Sequence, residues 1–231
     1  MFSTFISMLI FVKYKMVVSN RKAYYVLTLI FFIALIARMG SLYTGTHEDE
    51  GENFLAVTRI LDGQKVYREV GLNRPLFMVW LMKPVIDSFG EGLTSLFILR
   101  MVSCLATASI CFPVFGLGKI FSNREIGLWA ALLYALEPFS VHFNTFIHPS
   151  NFYVVFATWA VYLFNRGLYK KSTPTGIISG LCAGLAIIVK HSGLVILAYF
   201  LTFFVFYKKF GKHKNENFSV FMMGVLISCI L

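Results

Sequence analysis

The chain has 231 residues, 58% hydrophobic and 14% charged, with a mean hydropathy of +0.72. That excludes a soluble globular domain, where about 45–50% apolar residues are usual, and a disordered chain, which needs low hydrophobicity and high charge. The apolar runs are continuous instead of alternating, so a membrane barrel is excluded too, and the class is an all-α, polytopic helical membrane protein whose first partner is the lipid bilayer. The net charge of +10 reads as cytoplasmic loops rich in Lys and Arg, with no nucleic-acid partner.

A spanning helix needs about 20 apolar residues. In chain order, Met1–Val12 is apolar but short, and 1–22 reads as a cytoplasmic N-terminal segment. Tyr24–Tyr43 is the first predicted span, with Arg38 near its end. Thr46-His47-Glu48-Asp49 has the pattern of a capping box, and Phe54, Val57 and Leu61 recur at helical spacing. Asp62-Gly63 is a stop signal. A short amphipathic helix over roughly Glu48–Asp62 follows. Pro75–Phe89 is apolar but carries Lys83, Pro84 and Asp87, and reads as a second surface helix or a short span.

Leu96–Leu117, Ile126–Phe143 and Phe152–Leu168 are the next predicted spans. Arg100 lies one turn into the first of these, where a snorkelling role and a functional one both remain open. Thr175–Tyr207 is too long for one span and is interrupted by Lys190-His191, so it divides into two short spans. Gly176, Gly180 and Gly184 form a small-xxx-small series that favours close helix packing. Phe218–Leu231 begins another span, so the chain is expected to end inside a helix. The total is about six to seven spans. Cys104, Cys111, Cys182 and Cys229 all lie in apolar runs and read as small buried hydrophobes.

Charge placement sets the predicted topology. If Pro75–Phe89 stays on the surface, Lys13, Lys15, Arg21, Lys22, Lys119, Arg124, Arg166, Lys170, Lys171, Lys208, Lys209, Lys212 and Lys214 share one side with only Glu125 and Glu216 as acids. This fits the positive-inside rule better than the alternative. The expectation is a cytoplasmic N-terminus in a multi-pass cell-membrane protein, with Gly40–Gly92, Glu137–Asn151 and Lys190-His191 outside.

Several outer residues could carry chemistry. Glu48-Asp49-Glu50 are acids in a helix's first turn, favourable for the dipole alone, or a general base at the membrane surface. Arg74 either snorkels or holds a lipid-linked phosphate, and Lys190 has the same two readings. His47, His142, His148 and His191 fall on the outer side, but their spacing matches no metal site. A P-loop and G-x-G-x-x-G are both absent from the sequence. No cofactor is expected; a divalent metal stays open but is not indicated.

The order of the pieces resembles one family. E-D-E-G-E-N-F-L-A-V-T-R-I-L-D-G (Glu48–Gly63) is similar to D-E-x-x-x-A-x-x-(I/M)-L-x-G, and V-Y-R-E-V-G-L-N-R-P-L (Val66–Leu76) to a stretch ending (K/R)-P-P-L. Phe89-Gly90, Arg100 and G-L-A-I-I-V-K-H-S-G-L (Gly184–Leu194) follow in order. Together they resemble the N-terminal membrane portion of C-type glycosyltransferases that use polyprenyl-phosphate sugars, nearest the protein O-mannosyltransferases and lipid A aminoarabinose transferases. The resemblance implies a glycosyltransferase-like transmembrane domain over 23–231, truncated at its C-terminus, with a C-terminal complementing chain as a candidate partner. It implies inverting transfer of a sugar from a polyprenyl-phosphate carrier to an acceptor hydroxyl at the outer face. Asp49 and Glu50 become the catalytic acids, and Arg74, Lys190, Asn151 and His148 the substrate-binding residues. The second outer loop reads H-P-S-N (His148–Asn151) where the family usually has an acid. The competing expectation is a non-catalytic or degenerate module that binds lipid phosphate or a partner subunit. A transporter fits less well, since its charges belong near the midplane.

Overall fold

A computed structural model describes residues 20–72, 76–170 and 172–210, with side chains through 203. The described chain is all-α. Helix α1 (Asn20–Met39) leads to α2 (Glu48–Leu61), α3 (Phe77–Phe89), α4 (Leu93–Ala108), α5 (Cys111–Phe121) and α6 (Arg124–Leu136). Then come the short α7 (Pro138–Phe143), α8 (Pro149–Lys170), α9 (Thr173–Val189), a single 3-10 turn (His191–Gly193) and α10 (Leu194–Phe210). The expected segments Met1–Val12 and Phe218–Leu231 lie outside the described residues.

Among the described residues, two stretches are long and apolar enough to cross a membrane: α1, and the 29 residues Leu93–Phe121 that comprise α4, α5 and the bend between them. Thr173–Val189 and His191–Phe203 are apolar but shorter. The expected span Ile126–Phe143 is corrected: it breaks at Glu137, whose backbone is extended (ψ 116°). The following proline explains this, because its ring disfavours the helical conformation for the residue before it. Glu137 then serves as the N-cap of α7, accepting from the Phe139 and Ser140 N–H groups.

Helices are present over both segments expected to lie at the surface. α2 starts at Glu48 and stops at Asp62, with Gly63 at φ 91°, a conformation that glycine adopts without a Cβ penalty. The capping box is corrected, since the N-cap is His47, with no side-chain bond. Asp49 sits one position too early to reach back, and its carboxylate is engaged elsewhere. α3 is amphipathic: Met78, Val79, Met82 and Ile86 are buried, while Trp80, Lys83, Pro84 and Asp87 are exposed.

Three apolar clusters tie the helices together. One joins α1, α5 and α6 through residues such as Leu27, Ala34, Phe115 and Ala131. A second gathers Val57 of α2, Met82 and Ile86 of α3, Leu99 of α4, Ile147, Phe152 of α8 and Val189 of α9. A third joins α8, α9 and α10 around Phe164, Ala183 and Phe200. α8 and α9 lie close along their length. Gly176 and Gly180 are buried there, and the Ser179 hydroxyl donates to the Ala160 carbonyl at 2.7 Å, as the small-residue series anticipates.

Candidate functional site

The second cluster supports a polar layer built on one buried ion pair. Arg100 is fully buried on α4. Its Nε donates to Glu50 Oε1 at 3.0 Å and its Nη2 to Glu50 Oε2 at 2.6 Å. Nη1 donates to the Leu42 and Thr44 carbonyls at 2.6 and 2.9 Å, and Nη2 to Gly45 at 3.2 Å. All five guanidinium N–H groups are thereby used. Arg100 does not snorkel; it clamps the chain between α1 and α2 against α4.

Glu50 also accepts the Ile147 N–H at 3.1 Å, so the pair reaches the loop before α8. From the other side, Asn151 Nδ2 donates to the Phe146 and Phe143 carbonyls at 2.8 and 3.1 Å and to Ser103 Oγ at 3.2 Å. Ser103 Oγ lies 2.9 Å from the Asn144 and Phe146 carbonyls. Two buried networks therefore hold residues 144–147, and with them the position of His148.

Asp49 and Glu50 have different fates. The Glu50 side chain has no exposed surface, while Asp49 keeps 25% of its own. His148 Nε2 faces Asp49 Oδ2 in a close hydrogen bond. His148 Nδ1 accepts the Ser150 N–H at 3.0 Å, so the bonding pattern assigns the ring proton to Nε2, which donates it to Asp49. Ser150 Oγ accepts from Lys190 Nζ at 2.8 Å. Lys190 is exposed in the break between α9 and the 3-10 turn. That turn is tight: a Cβ at Gly193 would come 2.5 Å from the Ala186 carbonyl oxygen.

Asp49, His148 and Lys190, far apart in sequence, thus meet in one chain of contacts through Ser150. Glu50 and Asn151 lie in the supporting networks: the Glu50 carboxylate is engaged by Arg100 and the Ile147 N–H, and Asn151 Nδ2 by the Phe143 and Phe146 carbonyls and Ser103 Oγ. Arg74 lies outside the described residues. Sequence reasoning left Arg100 undecided and gave Ser150 and Ser103 no role. Arg100 carried a signal as an arginine within an apolar run, while the two serines carried none.

With the geometry in place, the chain matches the dolichyl-phosphate-mannose-protein mannosyltransferase family over residues 73–231. The chain belongs to that family. Its members are C-type glycosyltransferases, and membership together with the two long apolar helices makes this a membrane protein. The match includes Arg100, His148 and Lys190 and begins after α2, so Asp49 and Glu50 are joined to the family's segment by contacts in the fold. No curated protein and no solved structure matches the chain.

Proposed function

We propose that this chain transfers a sugar from a polyprenyl-phosphate carrier to an acceptor hydroxyl, with Asp49 as general base and Lys190 as the cation at the phosphate. The observation that carries this reading is the convergence of Asp49, His148, Ser150 and Lys190 at one accessible place. His148 holds the Asp49 carboxylate through Oδ2, and that carboxylate is the proton acceptor. As the acceptor oxygen attacks the anomeric carbon, its proton passes to Asp49. The bond from that carbon to the phosphate oxygen breaks, and its electron pair leaves with the phosphate. Lys190 neutralises the charge that develops there, the kind of electrostatic assistance such reactions favour. Attack opposite the leaving group inverts the anomeric centre.

Glu50 is a positioning residue in this reading. Its pair with Arg100 fixes α2 against α4 and holds the loop that carries His148, so Asp49 and His148 stay aligned. Arg74 is proposed, on sequence grounds alone, as a second cation. The site lies on the outer face of a multi-pass protein with a cytoplasmic N-terminus, and 23–231 forms the transferase-like membrane domain.

The decisive experiment is a transfer assay on membranes carrying the protein, with a panel of polyprenyl-phosphate sugars. Labelled product that vanishes in Asp49→Asn supports the proposal. Donor binding without transfer from any sugar would favour the non-catalytic module. Orientation has its own test: a cysteine at exposed His142 should react with an impermeant reagent from outside, and one at exposed Thr173 should not. The reverse pattern would place the site on the cytoplasmic side.

A further inference from the structure

The end of the bundle away from Asp49 is basic. Arg21 and Lys22 open α1, Lys119 lies in the last turn of α5, Arg124 opens α6, and Arg166 and Lys170 lie near the end of α8. Among the described residues of these turns, Glu125 is the one acid. Contacts fix how the helices run. Asn151 of α8 bonds Ser103 of α4, and further along the same stretch Gly116 of α5 lies against Tyr162 of α8, where a Cβ on the glycine would overlap the ring. α5 and α8 therefore run side by side in the same direction. Lys119 lies about 4.5 Å beyond Gly116 and Arg166 about 6 Å beyond Tyr162, so the two cations reach one depth on adjacent helices.

Both cations are exposed, and each rests on a tyrosine. Lys119 Nζ lies 5.9 Å from the centre of the Tyr24 ring, and the Arg166 guanidinium carbon 5.8 Å from that of Tyr162. Arg166 Nη1 also donates to the Tyr162 hydroxyl at 3.0 Å. That hydroxyl has no acceptor for its own proton among the described residues, and there neither cation has an ion pair. Trp159 meets Tyr162 edge-on, with ring centres 6.0 Å apart, nearer the middle of α8. The surface is thus cationic at the tip, carries a hydroxyl next to it and is apolar beyond.

We infer that this groove between α5 and α8 binds the phosphate of an anionic phospholipid of the bilayer. Lys119 and Arg166 meet the phosphate from two helices, and the Tyr162 hydroxyl donates to one of its oxygens. Basic pockets between membrane helices hold such headgroups, and a guanidinium beside an ammonium offers both a planar fork and a compact charge. A free phosphate ion would fill the polar tip and leave the Trp159 flank without an apolar partner. A choline headgroup would bring its own cation to a place that already holds two. The groove lies at the opposite end of the molecule from the candidate base, and the inference stands independently of the transferase reading.

The test uses the full chain purified in a neutral detergent, with a fluorescent phosphatidylglycerol read by anisotropy. Unlabelled phosphatidylglycerol should displace the probe, while phosphatidylcholine and inorganic phosphate at the same concentration should not. Lys119→Gln/Arg166→Gln should weaken binding by about 30-fold, the scale of two basic residues at a lipid surface. Arg21→Gln/Lys170→Gln removes the same charge from the same end and should weaken it far less. Tyr162→Phe keeps the ring against Gly116 and should weaken binding about threefold, the scale of one hydrogen bond. All four cations are exposed, so thermal unfolding without lipid should be unchanged, which separates loss of the site from loss of the fold. Equal losses in the two double variants would reduce this end to a diffuse charged surface and overturn the inference. Unchanged binding in Tyr162→Phe would do the same. So would displacement by inorganic phosphate, the mark of a free-anion site, or stronger displacement by a short-chain polyprenyl phosphate, the mark of a carrier site. Asp49→Asn should leave the titration unchanged.

Discussion

Two arginines are buried among the described residues, and their surroundings are opposites. Arg100 is surrounded by Glu50 and three backbone carbonyls, with every donor used. Arg38, at the end of α1, is just as buried. Its Nη1 bonds the Ala34 carbonyl at 2.9 Å and lies 3.5 Å from that of Ala135, and its guanidinium sits 5.0 Å from the Tyr134 ring centre. Its Nε and Nη2 have no partner among the described residues. The first arginine cross-links α4, α2 and the His148 loop around the candidate site. The second joins α1 and α6 through its guanidinium, and only its main-chain carbonyl, which accepts from Thr145 Oγ1 at 2.6 Å, touches the 144–147 segment among the described residues. The difference shows why burial alone does not mark a functional charge; what the charge fastens does.

The sharpest way to break this comparison is to remove each cation in turn. Arg100→Met leaves Glu50 buried without its partner and should cost about 3–5 kcal/mol in unfolding free energy. Arg100→Met/Glu50→Met should regain at least half of that loss, since no charge is left stranded. Equal destabilisation of the single and double variants, measured by thermal or denaturant unfolding in detergent, would show that the pair is not what holds the loop.

Asp49→Asn should lower transfer by about 100-fold, the scale of lost general-base catalysis, with the unfolding midpoint unchanged. Glu50→Gln should lower stability first and activity only in proportion to lost folded protein. If Glu50→Gln stays fully folded yet loses turnover as Asp49→Asn does, the roles of the two acids are reversed.

Arg38→Met keeps most of the side-chain volume and strands no acid. It should cost about 2 kcal/mol, the weight of a desolvated cation–π contact. A loss as large as that of Arg100→Met would mean that Arg38 is paired with an acid outside the described residues.

The smallest effect belongs to Glu137. Its carboxyl is held below its ordinary value, chiefly by hydrogen bonds from the Ser140 hydroxyl and N–H. A group with a lowered folded value stabilises when ionised. The α7 cap is therefore fully present above pH 4.5, the ordinary value, and is lost as the pH falls through the lower folded one. Amide exchange at Phe139 and Ser140, corrected for intrinsic rate, should rise there in the wild type. In Glu137→Gln it should be faster throughout and flat with pH; pH-independent exchange in the wild type would remove the cap.

Much of the local structure was legible because its causes are local. Hydrophobic period and the Asp62-Gly63 stop located α2, and the Lys190-His191 interruption located the turn between α9 and α10. The break at Glu137 was also written in the sequence, as a residue before Pro138, but the apolar run on both sides concealed it. Asp49, His148 and Lys190 were nominated on resemblance, and the sequence could not say that they meet.

The sequence by itself determined the helical class, the apolar faces and which polar residues were nominated for the site. Only the tertiary structure decided which of two adjacent acids is buried. Successive helical residues are turned by about 100°, so Asp49 and Glu50 point to different neighbours, and those neighbours come from elsewhere in the chain. Arg100 is 50 residues from Glu50, and His148 is 99 from Asp49. No local propensity encodes such pairings. They follow from the packing of α2 and α3 on α4, α8 and α9, which brings one arginine under Glu50 and one histidine beside Asp49.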